Sequence, residues 1–490
     1  MNAADVLLAR ASQLHDRPAL LTAGGAVTYG EVADLTARTA TALRGLGVQR
    51  GDAVVLLLKD SALSCAAFLG ALYAGAVAVP LNPRLPAADL AYAVADCGAR
   101  LVLGDADQLP DALGDPRVVL REALQAAVDA ATPSPVSVAT SADDRAFILY
   151  SSGTTGRPKG VVHVHANAAQ AGMMLRQVLQ VQEGDVVFAT SKLFFAFALD
   201  NAFTGALACG AATVLNAAWP DAADVAAQVA RHRPRFFFTV PTFFRRLLAL
   251  DAAALAPFRN VEYFVTGGER LPQSISQQWR DATGREILVV YGSSETFCNA
   301  LANVPGRNRP ETCGVPLAGV SMRLEGAAQP GDPGVLWLRH PSLAHGYTRP
   351  EPTHAAFRDG WFRTGDLFTC DADGYWTHHG RADELYKVAG QWVKPTAVEE
   401  AVLGDAAIRD AACVVVEDRD GFERLALYVV PGADGDAAVA AAQSRCDASL
   451  PHHARPKWIR AIDDLPRTAT GKVQRFRLRE WFAASRDEAS

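Results

Sequence analysis

Short runs rich in β-branched and aromatic residues recur through the middle of the chain, at 147–150, 186–189, 212–215, 236–240, 261–265 and 287–290, with helix-like stretches between them. Alternation of this kind predicts an α/β region with largely parallel strands. Polar, glycine-containing segments follow several of the runs, and ligands of open α/β sheets bind at the carboxyl ends of strands. The uncharged run 61–82 is mostly Ala and Gly and is interrupted by Gly75 and Pro80, so it reads as a buried helix followed by a strand rather than a membrane span. After Gly314 the texture changes: GDPGVLWLRHPSLAHGY and RDGWFRTGDLFTCDADGYW are short strands punctuated by Gly, Pro and Asp, which predicts a smaller β-rich lobe. Beyond HHGRADELYK, a helical VEEAVLGD leads into the strands CVVVED and RLALYVVPG and then an Ala-rich helix. That order marks a separate α+β domain. The expected fold class is therefore α/β, with a large N-terminal domain over residues 1–382 and a small C-terminal domain over 383–490, joined near Asp383.

Composition narrows the function classes. A chain of 490 residues, half hydrophobic and one fifth charged, is long enough for about three compact units and too apolar for general disorder. Its net charge of −6 comes without any Lys/Arg run, so no nucleic-acid or anionic-membrane footprint is expected. The eight cysteines are scattered, with no C-x-x-C pair, and read as reduced thiols of a cytoplasmic protein. Asp5 and Arg10 interrupt the apolar stretch at the start, which argues against an export signal.

The segment YSSGTTGRPKGVVHVH, residues 150–165, has the composition of a phosphate cradle placed between an apolar strand and a helix-compatible run. Small residues let backbone N–H groups approach anionic oxygens, hydroxyls at Ser151, Ser152, Thr154 and Thr155 add donors, and Lys159 adds charge. It lacks the Walker spacing, which disfavours a kinase or ordinary NTPase. SSGTTGRPKGVVH resembles the phosphate-loop motif of the adenylate-forming superfamily: acyl-CoA synthetases, peptide-synthetase adenylation domains and firefly luciferases. YGSSET, RTGD, GRADELYK and PRTATGKVQR follow in that superfamily's order, and the early GALYAGAVAVPLNPRL extends the likeness over essentially the whole chain.

The resemblance implies the chemistry of carboxylate activation. One anion is pushed onto another at the α-phosphate of ATP, so charge must be neutralised on both the approaching oxygen and the departing pyrophosphate. By this likeness Ser151, Ser152, Gly153, Thr154, Thr155, Gly156 and Lys159 cradle the phosphates. Glu295 and Thr155 hold Mg²⁺, and Thr296 stands by the α-phosphate. Tyr291 and Gly292 line one side of the adenine slot and the backbone of Gly267, Gly268 and Glu269 the other. Asp366 accepts from the ribose hydroxyls, and Arg381 contacts the nucleotide. Lys472 is the adenylation lysine, able to reach the carboxylate and the α-phosphate together. A thiol must later reach the same carbonyl, so the C-terminal domain is expected to be mobile, turning about Asp383, with Gly390 lining a pantetheine tunnel.

KLFFAFALDN, KVAGQWVKP and LPRTATGKVQRFRLR are similar to benzoate-type CoA ligases, which implies an aryl acid. Phe195, Ala196, Phe197, Asn201, Cys298 and Asn299 are the candidate acid pocket, with Phe238 and Phe243 as further flat walls. The chain departs from the benzoate pattern after YGSSET, reading Phe297-Cys298-Asn299 without the expected His. Asp200 and Asn299 are therefore expected to greet a polar ring substituent. The expected function is an AMP-forming acid:CoA ligase that uses ATP, Mg²⁺ and coenzyme A on a small aromatic acid. The reading allows a homodimer and involves neither nucleic acid nor membrane insertion. An aryl-adenylating enzyme that loads a carrier protein is the nearest alternative; a luciferase-like oxygenase and a non-catalytic nucleotide-binding protein are more distant ones.

Overall fold

The computed structural model describes the chain except for residues 111–112, 115, 152–156, 330, 383–385, 389–390, 419–421, 468–472 and 488–490. The described residues divide into two compact units: 1–364 with 369–378, and 365–368 with 379–490. Among them no helix is long and apolar enough to cross a membrane.

Two large sheets build the first unit. One has nine described strands, six of them parallel and adjacent: Pro18–Thr22, Ala212–Val214, Val186–Ala189, Phe236–Thr239, Tyr263–Thr266 and Ile287–Tyr291. Gly25–Thr28 closes one edge; Leu301–Ala302 and then Val315–Pro316 close the other. Five of these six are the expected β-rich runs to within two residues at each end; Pro18–Thr22 is not among those runs. The run at 147–150 is the exception. It forms Arg145–Ser151 in the second sheet, which runs in the order Gly346–Tyr347, Lys159–Val164, Arg145–Ser151, Val77–Pro80, Ala53–Leu57, Ala99–Gly104 and Arg117–Leu120. The single parallel region expected between 144 and 295 is thus divided between two sheets.

Beyond the phosphate loop the chain forms the strand Lys159–Val164, paired antiparallel with Arg145–Ser151, and the helix-compatible run that follows gives the short helices His165–Ala168 and Met173–Gln177. The run KGVVHV is β-branched at three of six positions, and such side chains pack on a pleated surface better than they tolerate a preceding helical turn. The 61–82 run behaves as expected, giving the helix Ala62–Tyr73 and the strand Val77–Pro80. Ser61 and Ser64 bond reciprocally at the helix start, where Ser64 N donates to Ser61 Oγ at 3.2 Å and Ser61 N donates to Ser64 Oγ at 2.8 Å.

Both sheets contribute to one shared core, in which Phe147 and Leu149 of the second sheet lie in the same cluster as Phe236, Phe238 and Val265 of the first. The opposite face of the nine-stranded sheet buries Phe188, Phe237, Phe244, Phe258, Phe264 and Trp279. Each such ring contributes about 1.5–3 kcal/mol by leaving water, so the layer that carries the strand-end loops is stiff. A smaller antiparallel sheet follows Gly314, where Ser321–Glu325 pairs with Gly334–Arg339, as the turn-rich texture predicts.

The second unit is built on Ile408–Glu417, Glu423–Pro431 and Trp458–Ala461, with the helices Pro395–Val402 and Gly435–Ser449 on one face. Leu478 and Phe482, from the helix Arg475–Asp487, cover the other. It is the α+β arrangement that the last hundred residues predicted.

Candidate active site

Three loops leave the carboxyl ends of the parallel strands Val186–Ala189, Tyr263–Thr266 and Ile287–Tyr291, and they carry most of the expected nucleotide and acid residues of the first unit. The local pattern is simple: the apolar strands YFVT and ILVVY satisfy the sheet and end where Gly267 and Gly292 free the backbone. Gly267 matters because of what surrounds it. A Cβ there would lie 3.1 Å from Val290 and 3.6 Å from the Phe197 ring, so the glycine lets the Gly267–Glu269 backbone sit against both the Tyr291 loop and the acid-pocket segment. Tyr291 is half-buried, with its ring 6.2 Å from the His378 ring.

At the phosphate hairpin, Ser151 pairs with Lys159 directly across the two strands, which places both at the mouth of the loop. Ser152, Gly153, Thr154, Thr155 and Gly156 lie outside the described residues. Lys159 Nζ is 5.7 Å from the centre of the Tyr347 ring, and the Tyr347 hydroxyl donates to Glu295 Oε1 at 2.8 Å. The expected phosphate cation and the expected metal carboxylate therefore meet on one tyrosine that sequence reasoning passed over. Glu295 Oε2 has no partner among the described residues, and these residues hold no cluster of three or more His, Cys, Asp or Glu. One half-buried carboxylate with a free oxygen fits Mg²⁺, which takes one or two carboxylates and completes its shell from phosphates and water. Thr296 is fully buried, with its hydroxyl donating to Ser293 O and accepting from Ser293 N, both at 3.1 Å. In this structure it shapes the turn that presents Glu295.

The residue after that turn is strained. Phe297 has φ +58, rare for an aromatic and costing on the order of 1–3 kcal/mol. The cost is offset by burial of its ring 4.8 Å from Phe147 and 5.6 Å from His163.

The acid-pocket segment begins at Lys192, a buried cation whose ammonium donates to the carbonyls of Asn216, Ala217 and Ala218 and lies 3.5 Å from Asp60. Burial pushes the Asp60 carboxyl up to about 6, against the opposing pull of Lys192. This anchor has no local sequence signal, because Asp60 is 132 residues away. Phe195, Ala196 and Phe197 are half-buried beyond it. Beneath them Asn299 Nδ2 donates to Asn201 Oδ1 at 3.0 Å, and Asn201 Nδ2 donates to Phe197 O at 2.9 Å. Phe238 stacks its edge on Phe197 at 5.9 Å, from within the core. Phe243 does not join this wall; it belongs to the core on the opposite face of the sheet, because its helix Pro241–Leu248 turns its apolar stripe towards Phe244 and Leu247's neighbours there.

Asp200 also departs from expectation. It is fully buried in the π-helical turn Leu199–Thr204; Oδ1 accepts from Gly172 N at 2.7 Å and lies 3.5 Å from Cys298 Sγ, while Oδ2 has no partner. Burial pushes its carboxyl up to about 7. Its Oδ1 is engaged by backbone, while Asn299 makes the amide bond to Asn201 beneath the acid segment. Cys298 lies between Asp200 and Gln170 O, buried and with its thiol pushed far up by desolvation.

In the second unit Arg381 Nη1 approaches Asp366 Oδ1 at 3.5 Å, so the expected ribose carboxylate and nucleotide arginine are paired. Gly365, with φ +76, makes this possible, since a Cβ there would lie 2.6 Å from the guanidinium. Asp383, Gly390 and Lys472 lie outside the described residues.

Comparison with known proteins identifies the family. Residues 7–348 match the family model described as AMP-binding enzyme, and residues 397–472 match the AMP-binding enzyme C-terminal domain. The chain is 40% identical to the 3-hydroxybenzoate–CoA ligase of Aromatoleum sp. (strain CIB), over 99% of this chain and 98% of that one. Among solved structures, a benzoate CoA ligase from Burkholderia xenovorans superposes with a TM-score of 0.87 at 33% identity, covering 98% of this chain and 100% of that one. The anthranilate CoA ligase AuaEII in complex with anthranoyl-AMP superposes with a TM-score of 0.89 at 29% identity, covering 99% and 98%.

Proposed function

The chain belongs to the AMP-binding enzyme family and is an AMP-forming acid:CoA ligase, and from that premise we propose that its acid is a benzoate carrying a hydrogen-bond-donating ring substituent, a hydroxyl or an amine. The observation that carries the aryl reading is the convergence at Gly267, where the nucleotide wall and the Phe197 face of the acid segment are in contact distance. Names of the most similar relatives point the same way. The substituent is inferred from the amide chain: Asn299 spends its donor on Asn201 and Asn201 spends its own on Phe197 O, which leaves Asn299 Oδ1 as an acceptor beside Gly292. A site with a buried acceptor discriminates strongly in favour of a donor that satisfies it.

The residues divide the work as follows. The hairpin mouth, Ser151 and Lys159, receives the phosphates, with Ser152 to Gly156 between them supplying amides and hydroxyls. Tyr291 and the Gly267–Glu269 backbone hold the base, and Asp366 with Arg381 holds the ribose. Mg²⁺, when bound, supplies positive charge to the phosphates, and Glu295 with Thr155 holds it. Lys472 brings a mobile ammonium to the carboxylate and the α-phosphate as they approach. CoA thiol attack on the acyl-adenylate then releases AMP and the thioester.

The test is pyrophosphate release, with product thioester measured by chromatography, across benzoate, 3- and 4-hydroxybenzoate, anthranilate, 3-methoxybenzoate and octanoate, with and without CoA. Hydroxy- or aminobenzoates should exceed benzoate and the methoxy acid by about tenfold in kcat/KM, the worth of one good hydrogen bond. Turnover confined to unsubstituted benzoate or to octanoate would sink the substrate reading, and turnover indifferent to CoA would favour carrier loading.

A further inference from the structure

Four donors grip the backbone of the loop that presents Glu295. His163 Nε2 donates to Ser294 O at 2.8 Å, Ala344 N to Glu295 O at 2.8 Å, Ser342 Oγ to Thr296 O at 2.6 Å, and His340 Nε2 to Asn299 O at 3.1 Å. Three of the four come from one short segment, 340–344, which folds on itself through Leu343 N to His340 O. Its imidazole is fixed in one tautomer: Ser342 N donates to His340 Nδ1 at 3.1 Å, so the ring proton sits on Nε2, facing Asn299 O.

The same segment runs on into Gly346–Tyr347, which pairs antiparallel with the outgoing strand of the phosphate hairpin, Gly346 with Val162 and Tyr347 with Val161. His345 N donates to Val162 O at 2.9 Å and Thr348 N to Gly160 O at 2.8 Å. Residues 340–348 are therefore tied at one end to the Glu295 loop and at the other to the strand that begins at Lys159. From that strand Tyr347 reaches back, its hydroxyl donating to Glu295 Oε1 at 2.8 Å while its ring stands edge-on to Phe357 at 5.4 Å. A glutamate has three side-chain torsions, and loop backbone alone fixes none of them. With one oxygen held by a packed phenol, the carboxylate keeps one direction and presents its other oxygen.

We propose that Tyr347 is a positioning residue for metal use: it sets the direction of the Glu295 carboxylate towards the divalent cation that accompanies ATP, and Ser342 holds the backbone beneath it. This rests on Glu295 being the metal ligand. Partners hydrogen-bonded behind a metal-binding group commonly change metal affinity by about 10–100-fold when lost.

The experiment compares wild type, Tyr347→Phe, Ser342→Ala, Ser342→Thr and Glu295→Gln by calorimetric titration with ATP, in excess Mg²⁺ and in EDTA, with no acid or CoA present. The Mg²⁺ concentration for half-maximal pyrophosphate release is measured alongside. Tyr347→Phe should weaken ATP binding in Mg²⁺ and raise the half-maximal Mg²⁺ concentration, each about tenfold, with EDTA binding and the thermal midpoint unchanged. Ser342→Ala should move the same readouts in the same direction, and Ser342→Thr, which keeps the hydroxyl, should recover most of the loss. Equal weakening with and without metal, or no change, would overturn the proposal. If Glu295→Gln leaves the Mg²⁺ dependence untouched, the metal-ligand reading itself has failed; if Glu295→Gln shifts it and Tyr347→Phe does not, only the role of Tyr347 has failed.

Discussion

Two anions have to meet in the proposed reaction, and a single ammonium is asked to cover both as they do. Lys472 is that group, and a flexible four-carbon stem suits a charge that must arrive and leave. Lys472→Ala should lower the rate of adenylate formation by about 10²-fold or more, the usual loss for one donor to a transition state, and leave thioester formation from supplied acyl-adenylate near its wild-type rate. Single-turnover measurement of each half-reaction checks this; equal damage to both would contradict it. At this scale the sequence is most informative where a motif is contiguous. Ser151, Lys159 and Glu295 are each proposed from contiguous motifs. The Asn299–Asn201 bond joins residues 98 apart, and Asp200 turns inward to Gly172 N, so neither could be read from local spacing. Asp200 lies fully buried in the turn Leu199–Thr204, where spacing along the chain gives no sign of its backbone partner.

The element that organises the site is a hairpin strapped to a loop by 340–348. Its two imidazoles make the strap sensitive to acid. Burial pushes both His163 and His340 down from 6.5 to about 4. Between those values the unfolded chain binds protons that the folded one refuses, so the stability these groups hold is complete above pH 6.5 and is lost as pH falls towards 4, up to about 3 kcal/mol for each. Thermal unfolding of wild type and His340→Gln should therefore differ most at pH 7 and converge only as pH falls through about 4; a gap independent of pH would contradict it. Strand runs were legible here, but not their partners. A strand apolar on both faces records that it is buried and says nothing about which sheet buries it, which is why 147–150 was grouped with strands it does not touch.

The whole chain divides into two compact units, and the proposal for catalysis needs the smaller one to take two poses. A hinge at Asp383 would absorb that rotation in a few backbone torsions. Asp383→Pro, with φ fixed near −65°, should preserve adenylate formation and slow thioester formation by about 10²-fold, the scale of losing a conformational step that assembles a site. Stopped-flow mixing of the acyl-adenylate complex with CoA measures it, and an unchanged rate would refute the hinge.

A ligase of this kind releases an activated acyl donor into its own surroundings, and any nucleophilic sulphur on its surface is a candidate victim. None of the eight cysteines is in a disulfide, seven of them are buried, and burial pushes the thiols of Cys97 and Cys446 up to about 12 and about 11. Only Cys370 is partly exposed, and its thiol too is raised, by burial and by Asp371. Trans-thioesterification requires the thiolate. The fold thereby makes the enzyme a poor substrate for its own product.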